Sequence, residues 1–600
     1  MKRKSETHRN PLPNKVNNSS YLPNFIAIKI FISRNIYSLL LIFLISVVVA
    51  SHILYVLKTY QYPQWDENVY LQHAVDFLPI LKNPSLNFWQ NILDITQHRQ
   101  PFYPLFISIP LLFLGTTSAY KTALFLNGLF YAVTIFFTYL TARQFFEKLP
   151  SFLASYMFAF YGFPLFYLHF TLEETAATAF ATVALYFLIR ASGNFSHKHI
   201  LLFSLLASIG VLARWTTPIF LLGPFLLFLF IYFKKIISKK INKSHAVKTI
   251  LILILVGVFP AAILYYYPNI SYFLGYAEAN RVGGPEWVPE LIRNPFSKSS
   301  IIWYASVLAQ QTIFFWILFL VGLSIAVMRF RKYSFLLLAF IIPYLFFTLG
   351  AVWKEDRFIV PSYPIMAIIS AIVIHELRKK TAGVILIAFI LILGLLNFLG
   401  ASWGIGPMKF SIHGYKSTVP HSILLPMPIG HPRRVWLAPI SWPPRPNEGN
   451  SDLILKTVLE DNKSNKKPNV LLTFTIPQIE GPLYNTVLYE QRDLINLRAL
   501  WGFGANDLPT LFERIKNADY ILIKEGGAFD DQFDDQPDLL QTFNESVRSS
   551  NAKLPSAFVK LQEIEVPFDK SKVVIYKKAL EITIEDLEIF TNSFISENNN

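Results

Sequence analysis

The chain is 600 residues long, 53% hydrophobic and 16% aromatic, with only 16% charged residues, well below the roughly 25% of an ordinary soluble domain. Its formal charge is +15, yet Lys and Arg gather in short clusters between apolar runs, the distribution of cytoplasmic loops and not of a nucleic-acid-binding face. With no cysteine, disulfides and thiolate metal sites are excluded.

Residues 1–35 form a basic tail that the charge bias places in the cytoplasm. The first apolar run, near 36–57, is long enough to cross a bilayer and is followed by no small-residue cleavage pattern, so it reads as an anchor. In the loop 58–118 that follows, Tyr62-Pro63-Gln64-Trp65-Asp66-Glu67-Asn68-Val69-Tyr70 leads into an amphipathic helical pattern to about Leu81. Asp66 suits a helix N-cap. Two adjacent carboxylates at a membrane boundary are nevertheless costly when partly desolvated, so they are usually paired or used. His98-Arg99-Gln100-Pro101 then precedes an apolar run from Phe102 to Leu114. At about 13 residues that run is too short to span and reads as an interfacial or re-entrant helix.

Further spans are expected near 119–142, 150–169, 173–191, 249–267, 301–328, 333–351, 358–376 and 381–401. The stretch 199–233 would be about 52 Å long as one helix, so it folds into a hairpin with Arg214 and Pro218 at its turn. Leaving 102–114 out of the count puts Lys2-Arg3-Lys4, Arg143 with Lys148, Lys234-Lys235 through Lys243, Arg329-Arg331-Lys332 and Arg378-Lys379-Lys380 on one face. The positive-inside rule then gives eleven spans within 36–401, a cytoplasmic N-terminus, and everything beyond about 402 on the opposite side. Loop 268–300 lies on that outer side; the glycines of Arg281-Val282-Gly283-Gly284-Pro285 suit a lid or a passive connector equally.

The tail opens with a Pro-rich linker, 402–450, including Trp442-Pro443-Pro444-Arg445-Pro446, which reads as extended chain. Residues 451–600 alternate helical patterns at 452–460 and 481–490 with short apolar strands at Val470-Phe474, Tyr520-Ile523 and Val573-Tyr576. That order implies a soluble α/β domain. The run Asp530, Asp531, Asp534, Asp535, Asp538 lacks EF-hand spacing and its glycine, so it reads as a solvated acidic loop.

The expected topology brings several charged groups to the outer surface beside Asp66-Glu67. Glu173-Glu174 opens a span, Arg214 sits at an outer turn, and Lys354-Glu355-Asp356-Arg357 precedes another span. Singly, each has a plain explanation: acidic residues cap helices, an arginine snorkels from a helix end, and a lone His98 is more often a structural hydrogen-bonder than a metal ligand. Their convergence on one face favours a site.

With these motifs in order, the chain resembles the GT-C class of polytopic glycosyltransferases, in the branch of protein mannosyltransferases and lipid A aminoarabinose transferases. The similar features are Asp66-Glu67-Asn68-Val69-Tyr70 in the first outer loop, Pro101-Phe102-Tyr103-Pro104 heading the short helix, Leu172-Glu173-Glu174-Thr175, Ala213-Arg214-Trp215, and Arg357-Phe358-Ile359-Val360-Pro361-Ser362-Tyr363-Pro364. They cover roughly 36–400. The resemblance implies transfer of a sugar from a polyprenyl-phosphate donor to a lipid, glycan or protein acceptor at the outer face of a cell membrane, inverting the anomeric centre. Asp66 would be the general base and Glu67 its runner-up or orienting partner. Arg357, Arg214 and Lys354, in that order, would hold the lipid phosphate. Glu173 and Glu174 would contact hydroxyls, while Tyr70 and Tyr103 would stack on sugar. Tyr265-Tyr266-Tyr267 reads rather as an interfacial anchor.

Some relatives place a Glu before the helix-heading Pro and a His in a later outer loop, both for a divalent metal. Here Arg99 and Gln100 precede Pro101, and loop 268–300 has no His. The resemblance thus leaves a divalent metal open, with His98 as its candidate ligand, and implies no other cofactor. Rival readings are a transporter or flippase, whose ionisable residues belong near the bilayer midplane, an O-antigen polymerase or ligase, and a non-catalytic scaffold.

Overall fold

A computed structural model describes residues 22–59, 66–96, 99–281, 296–309, 313–350, 356–405, 444, 450–464, 466–474, 483, 494–499, 508–526, 544, 547, 557–567, 570–583 and 585–586. The helices of the first part are α1 (Leu22–Lys58), α2 (Asp66–Lys82), α3 (Phe88–Thr96), α4 (Phe102–Leu114), α5 (Ala119–Ala142), α6 (Lys148–Ala159), α7 (Gly162–Leu168), α8 (Glu174–Asn194), α9 (His197–Ala213) and α10 (Thr217–Ile237). After them come α11 (Lys243–Tyr266, which includes π-helical turns), α12 (Ile270–Arg281), α13 (Lys298–Ala309), α14 (Ile313–Met328), α15 (Phe330–Leu345), α16 (Tyr363–Leu377) and α17 (Thr381–Trp403).

Among the described residues, eight helices are long and apolar enough to cross a membrane, and ten crossings result if each of two bent pairs counts as one. The chain is therefore a multi-pass membrane protein. The count expected from hydropathy, eleven, is reached only when the 17-residue α9 also crosses.

The first bent pair has a visible cause. In α6 and α7, bent by 56°, Pro164 has no N–H to offer the Phe160 carbonyl. Asn397 of α17 donates to that carbonyl instead, at 3.0 Å, so no backbone acceptor is left bare in an apolar setting. The run 301–328, expected as one helix, departs more strongly: α13 and α14 meet at 120°. Gln310-Gln311-Thr312 interrupts the apolar pattern between them.

The hairpin expected over 199–233 forms as α9 and α10. Arg214 is extended (φ −156°, ψ 124°), and Pro218 sits in the first turn of α10, where its fixed φ and missing N–H cost nothing. Thr217 Oγ1 donates to Gly210 O at 2.8 Å and ties the corner.

α16 stands in the middle of the bundle, with 94% of its span buried. Such enclosure requires close backbone approach by its neighbours, and membrane helices achieve this with small residues. Gly322 of α14 does so here, since a Cβ at that position would lie 2.2 Å from the Ile369 carbonyl oxygen. At the far end of α16 from the site described below, Arg329 holds Glu376 with two hydrogen bonds of 2.6 and 3.1 Å, and Arg378 holds Glu147 at 2.6 Å.

The C-terminal part is an α/β domain, as expected. Five strands, β1 (Asn469–Leu472), β2 (Asn496–Ala499), β3 (Tyr520–Glu525), β4 (Phe558–Val566) and β5 (Ser571–Lys578), lie in the order β2-β1-β3-β5-β4. β1, β2 and β3 run parallel; β5 is antiparallel to β3 and β4. Alternate residues of a strand face opposite sides. Leu472, Tyr520 and Ile575 therefore pack on one core under α18 (Ser451–Asp461), and Leu471, Ile521 and Tyr576 on another under α19 (Leu508–Lys516). The helix expected at 481–490 apart from Leu483, the acidic run 530–538, the 283–285 glycine turn and the Trp442-Pro443 stretch lie outside the described residues.

Candidate active site

Asp66 opens α2, where Asp66 and Glu67 in the first turn and Lys82 in the last complement the helix dipole. The two carboxylates part company from there. Glu67 turns inward and is buried; its Oε1 accepts hydrogen bonds from the Thr171 N–H at 2.6 Å and the Thr171 hydroxyl at 3.0 Å. It fixes the start of α2 against the turn that precedes α8.

The Asp66 side chain stays 30% exposed and meets two guanidiniums. Arg99 Nη2 donates to Oδ1 at 2.7 Å, and Arg357 Nη1 donates to Oδ2 at 2.8 Å. Burial pushes the Asp66 carboxyl up, but Arg357 and Arg99 together outweigh it and hold the group below the usual carboxylate range. Arg99 stands over the Tyr70 ring, 5.3 Å from its centroid, and Tyr70 meets Tyr103 edge to face at 5.7 Å.

Behind this pair lies a deeper one. Arg214, at the α9–α10 corner, has only 3% of its side chain exposed; its Nη1 is 2.7 Å from Glu174 Oε1 and its Nε 3.8 Å from Glu173 Oε1. The close contact is an ion pair and not a hydrogen bond, because the donor is poorly aligned. Arg357 joins the two layers, with its Nε 3.7 Å from Glu174 Oε1. Glu173 sits at the N-cap of α8 and bonds to the Tyr70 hydroxyl. Four carboxylates and three guanidiniums thus meet at one end of the bundle.

The structure brings together Asp66, Glu67, Tyr70, Tyr103, Glu173, Glu174, Arg214 and Arg357. Tyr103 is buried, with its hydroxyl donating to Asn127 Oδ1 at 3.1 Å. His98 and Lys354 lie outside the described residues. Arg99 was not among the expected site residues; its signal is a basic side chain two positions before Pro101 in the same loop as Asp66. The tyrosine run also divides: Tyr267 is exposed as an anchor would be, but Tyr265 is buried and accepts from Gln100 Nε2 at 2.8 Å.

His98, the candidate ligand for a divalent cation, lies outside the described residues. Among the described residues no three His, Asp or Glu side chains converge as ligands. Both Asp66 oxygens face guanidiniums, which repel a cation.

No protein-family model and no curated protein sequence matches the chain. Solved structures do. The crystal structure of ArnT from Cupriavidus metallidurans bound to undecaprenyl phosphate matches with a TM-score of 0.50 at 10% identity, over 90% of this chain and 98% of that one. The archaeal oligosaccharyltransferase AglB from Archaeoglobus fulgidus, in complex with an inhibitory peptide and a dolichol-phosphate, matches with a TM-score of 0.47 at 13% identity, over 82% and 69%. The likeness to ArnT gives this chain the GT-C fold over nearly its whole length.

Proposed function

We propose that this GT-C chain is a membrane glycosyltransferase that takes a sugar from a polyprenyl-phosphate donor and passes it to an acceptor hydroxyl at the outer face of the membrane. The observation that carries the reading is the layered cluster around Asp66: one partly exposed carboxylate between two partly exposed arginines, backed by a buried acid–base layer. A transferase of this kind must supply a base for the attacking oxygen and cations for the phosphate that leaves. Asp66 is the one carboxylate of the four that remains partly open to solvent, so it is the base. The described ArnT structure holds undecaprenyl phosphate, the ligand class this reading assigns to the present chain.

In a single inverting displacement, the acceptor oxygen attacks the anomeric carbon while the carbon–oxygen bond to phosphate breaks. Asp66 takes the acceptor proton, and the phosphate leaves with the bonding electrons. Arg357 and Arg99 neutralise the charge that develops on it, with the planar guanidinium suited to two oxygens at once. Arg214 is buried too deeply to reach a lipid phosphate; it positions Glu173 and Glu174. Glu67, through Thr171, positions Asp66. Tyr70 forms part of the wall, and Tyr103 supports it from behind through Asn127. The N-terminus is cytoplasmic in this reading and the C-terminal α/β domain lies outside, available to the acceptor.

The test is transfer itself. Membranes containing the chain, supplied with radiolabelled polyprenyl-phosphate hexoses or pentoses, should label an endogenous lipid, glycan or protein, and membranes with Asp66→Asn at equal abundance should not. Unchanged transfer by Asp66→Asn would remove Asp66 from the mechanism. Flux of the lipid across the bilayer without transfer would favour a flippase instead.

A further inference from the structure

Among the described residues, every guanidinium of the site already faces a carboxylate. Arg214 faces Glu173 and Glu174; Arg99 and Arg357 grip opposite oxygens of Asp66. Of the three, only Arg99 and Arg357, with 25% and 20% of their side chains exposed, are open to a ligand from outside. An anion entering the site therefore meets these two cations while they are engaged with Asp66. A phosphate group presents oxygens in much the same fork as a carboxylate does, so it competes for the same donors.

The geometry also shows how the exchange proceeds without dismantling the site. Arg357 has a second hold, its Nε near Glu174, and its guanidinium lies over the Phe358 ring, 6.0 Å from the centroid. Arg99 has a second hold over Tyr70. Each can let go of Asp66 with its outer nitrogens and keep its place.

We infer that Asp66 and the phosphate of a polyprenyl-phosphate ligand exchange for the same two arginines, so that the empty site keeps Asp66 locked as their counter-ion and seating of the phosphate releases it. The ligand class rests on the function proposed above; the exchange itself makes and breaks no covalent bond. Its consequence is an order of events. The carboxylate becomes a free base only after the lipid phosphate is in place, so an acceptor that arrives first meets a base that is still engaged. Arg99 thereby gains two tasks, holding Asp66 before binding and phosphate after it.

A binding measurement on the full chain in nanodiscs, with undecaprenyl phosphate as the probe, tests the exchange without any turnover. Removing the competing anion by Asp66→Asn should tighten binding about tenfold, the scale of one charge-assisted contact of roughly 1.4 kcal/mol, whereas Arg99→Gln and Arg357→Gln should each weaken it by a similar factor. The double variant Asp66→Asn with Arg99→Gln should return close to the wild-type affinity. Asp66→Ser repeats the test should the Asn variant fail to fold. Binding by the wild type that is unaltered or weakened in both Asp66 variants overturns the exchange and leaves the proposed function standing. No detectable binding by a folded wild-type chain overturns both.

Discussion

Replacing Arg214 by Gln separates a buried positioning role from a role in holding phosphate. Removing one partner of a buried ion pair costs about 3–5 kcal/mol, because the other charge is left without compensation. One feature of the cluster places the expected loss near the lower end: the Arg357 Nε remains 3.7 Å from Glu174 Oε1 and keeps that carboxylate partly compensated. The expected destabilisation is about 3 kcal/mol. The assay is a double-mutant cycle with Glu174→Gln, read as unfolding of the detergent-solubilised chain. Because Glu174→Gln removes the stranded charge, the double variant should be more stable than the sum of the single losses allows, with a coupling of about 2 kcal/mol. Arg214→Gln with wild-type stability, or losses that simply add, would refute the buried layer as described. Retained stability with lost affinity for undecaprenyl phosphate would make Arg214 a ligand of the phosphate.

Two further outcomes follow from the geometry. The Asp66 carboxyl titrates below its ordinary value of 3.8 in the folded chain, so its ion pairs contribute stability that is fully present above that value and is lost as pH falls through the lower, folded one. The melting difference between wild type and Asp66→Asn should therefore be constant from neutral pH down to about 5 and shrink only in stronger acid; a difference that vanishes between pH 7 and 5 would contradict the two-arginine clamp. Gly322→Ala places a methyl group 2.2 Å from the Ile369 carbonyl oxygen, and overpacking of this kind costs about 1–3 kcal/mol. An unchanged melting temperature would show that α14 and α16 are not in close contact.

How much of this was legible depended on what each residue must avoid. Asp66, Glu173, Glu174, Arg214 and Arg357 stood out because charge within a largely apolar chain needs a partner, and the partners lay at the ends of neighbouring spans. Arg99 was harder to see, because a basic residue in a polar loop needs no explanation until its partner is known. Hydropathy reports exclusion of water and is blind to what replaces it. The enclosed α16 region, Arg357–Leu377, has a mean hydropathy of 1.9 and is 94% buried, while Lys243–Tyr266 reaches 2.5 at only 11% burial. It is also blind to direction, which is why the 120° turn between α13 and α14 did not show. In the C-terminal domain the central strands were legible as apolar runs. The edge strand β4 was not, because Lys560, Gln562, Glu563 and Glu565 dilute its pattern along the exposed side.

The spread of the Asp66 cluster along the chain bears on how the protein is made. A nascent chain delivers Asp66 and Arg99 together, then Glu173 and Glu174 with Arg214 soon after, and Arg357 only once more than half of the polypeptide has been threaded into the membrane. Until then the acids outnumber the bases by two, a deficit that water can cover at a bilayer surface but that a closed bundle cannot. A chain cut short before Arg357 therefore lacks the base that joins Asp66 to Glu174, and its acids keep the larger excess.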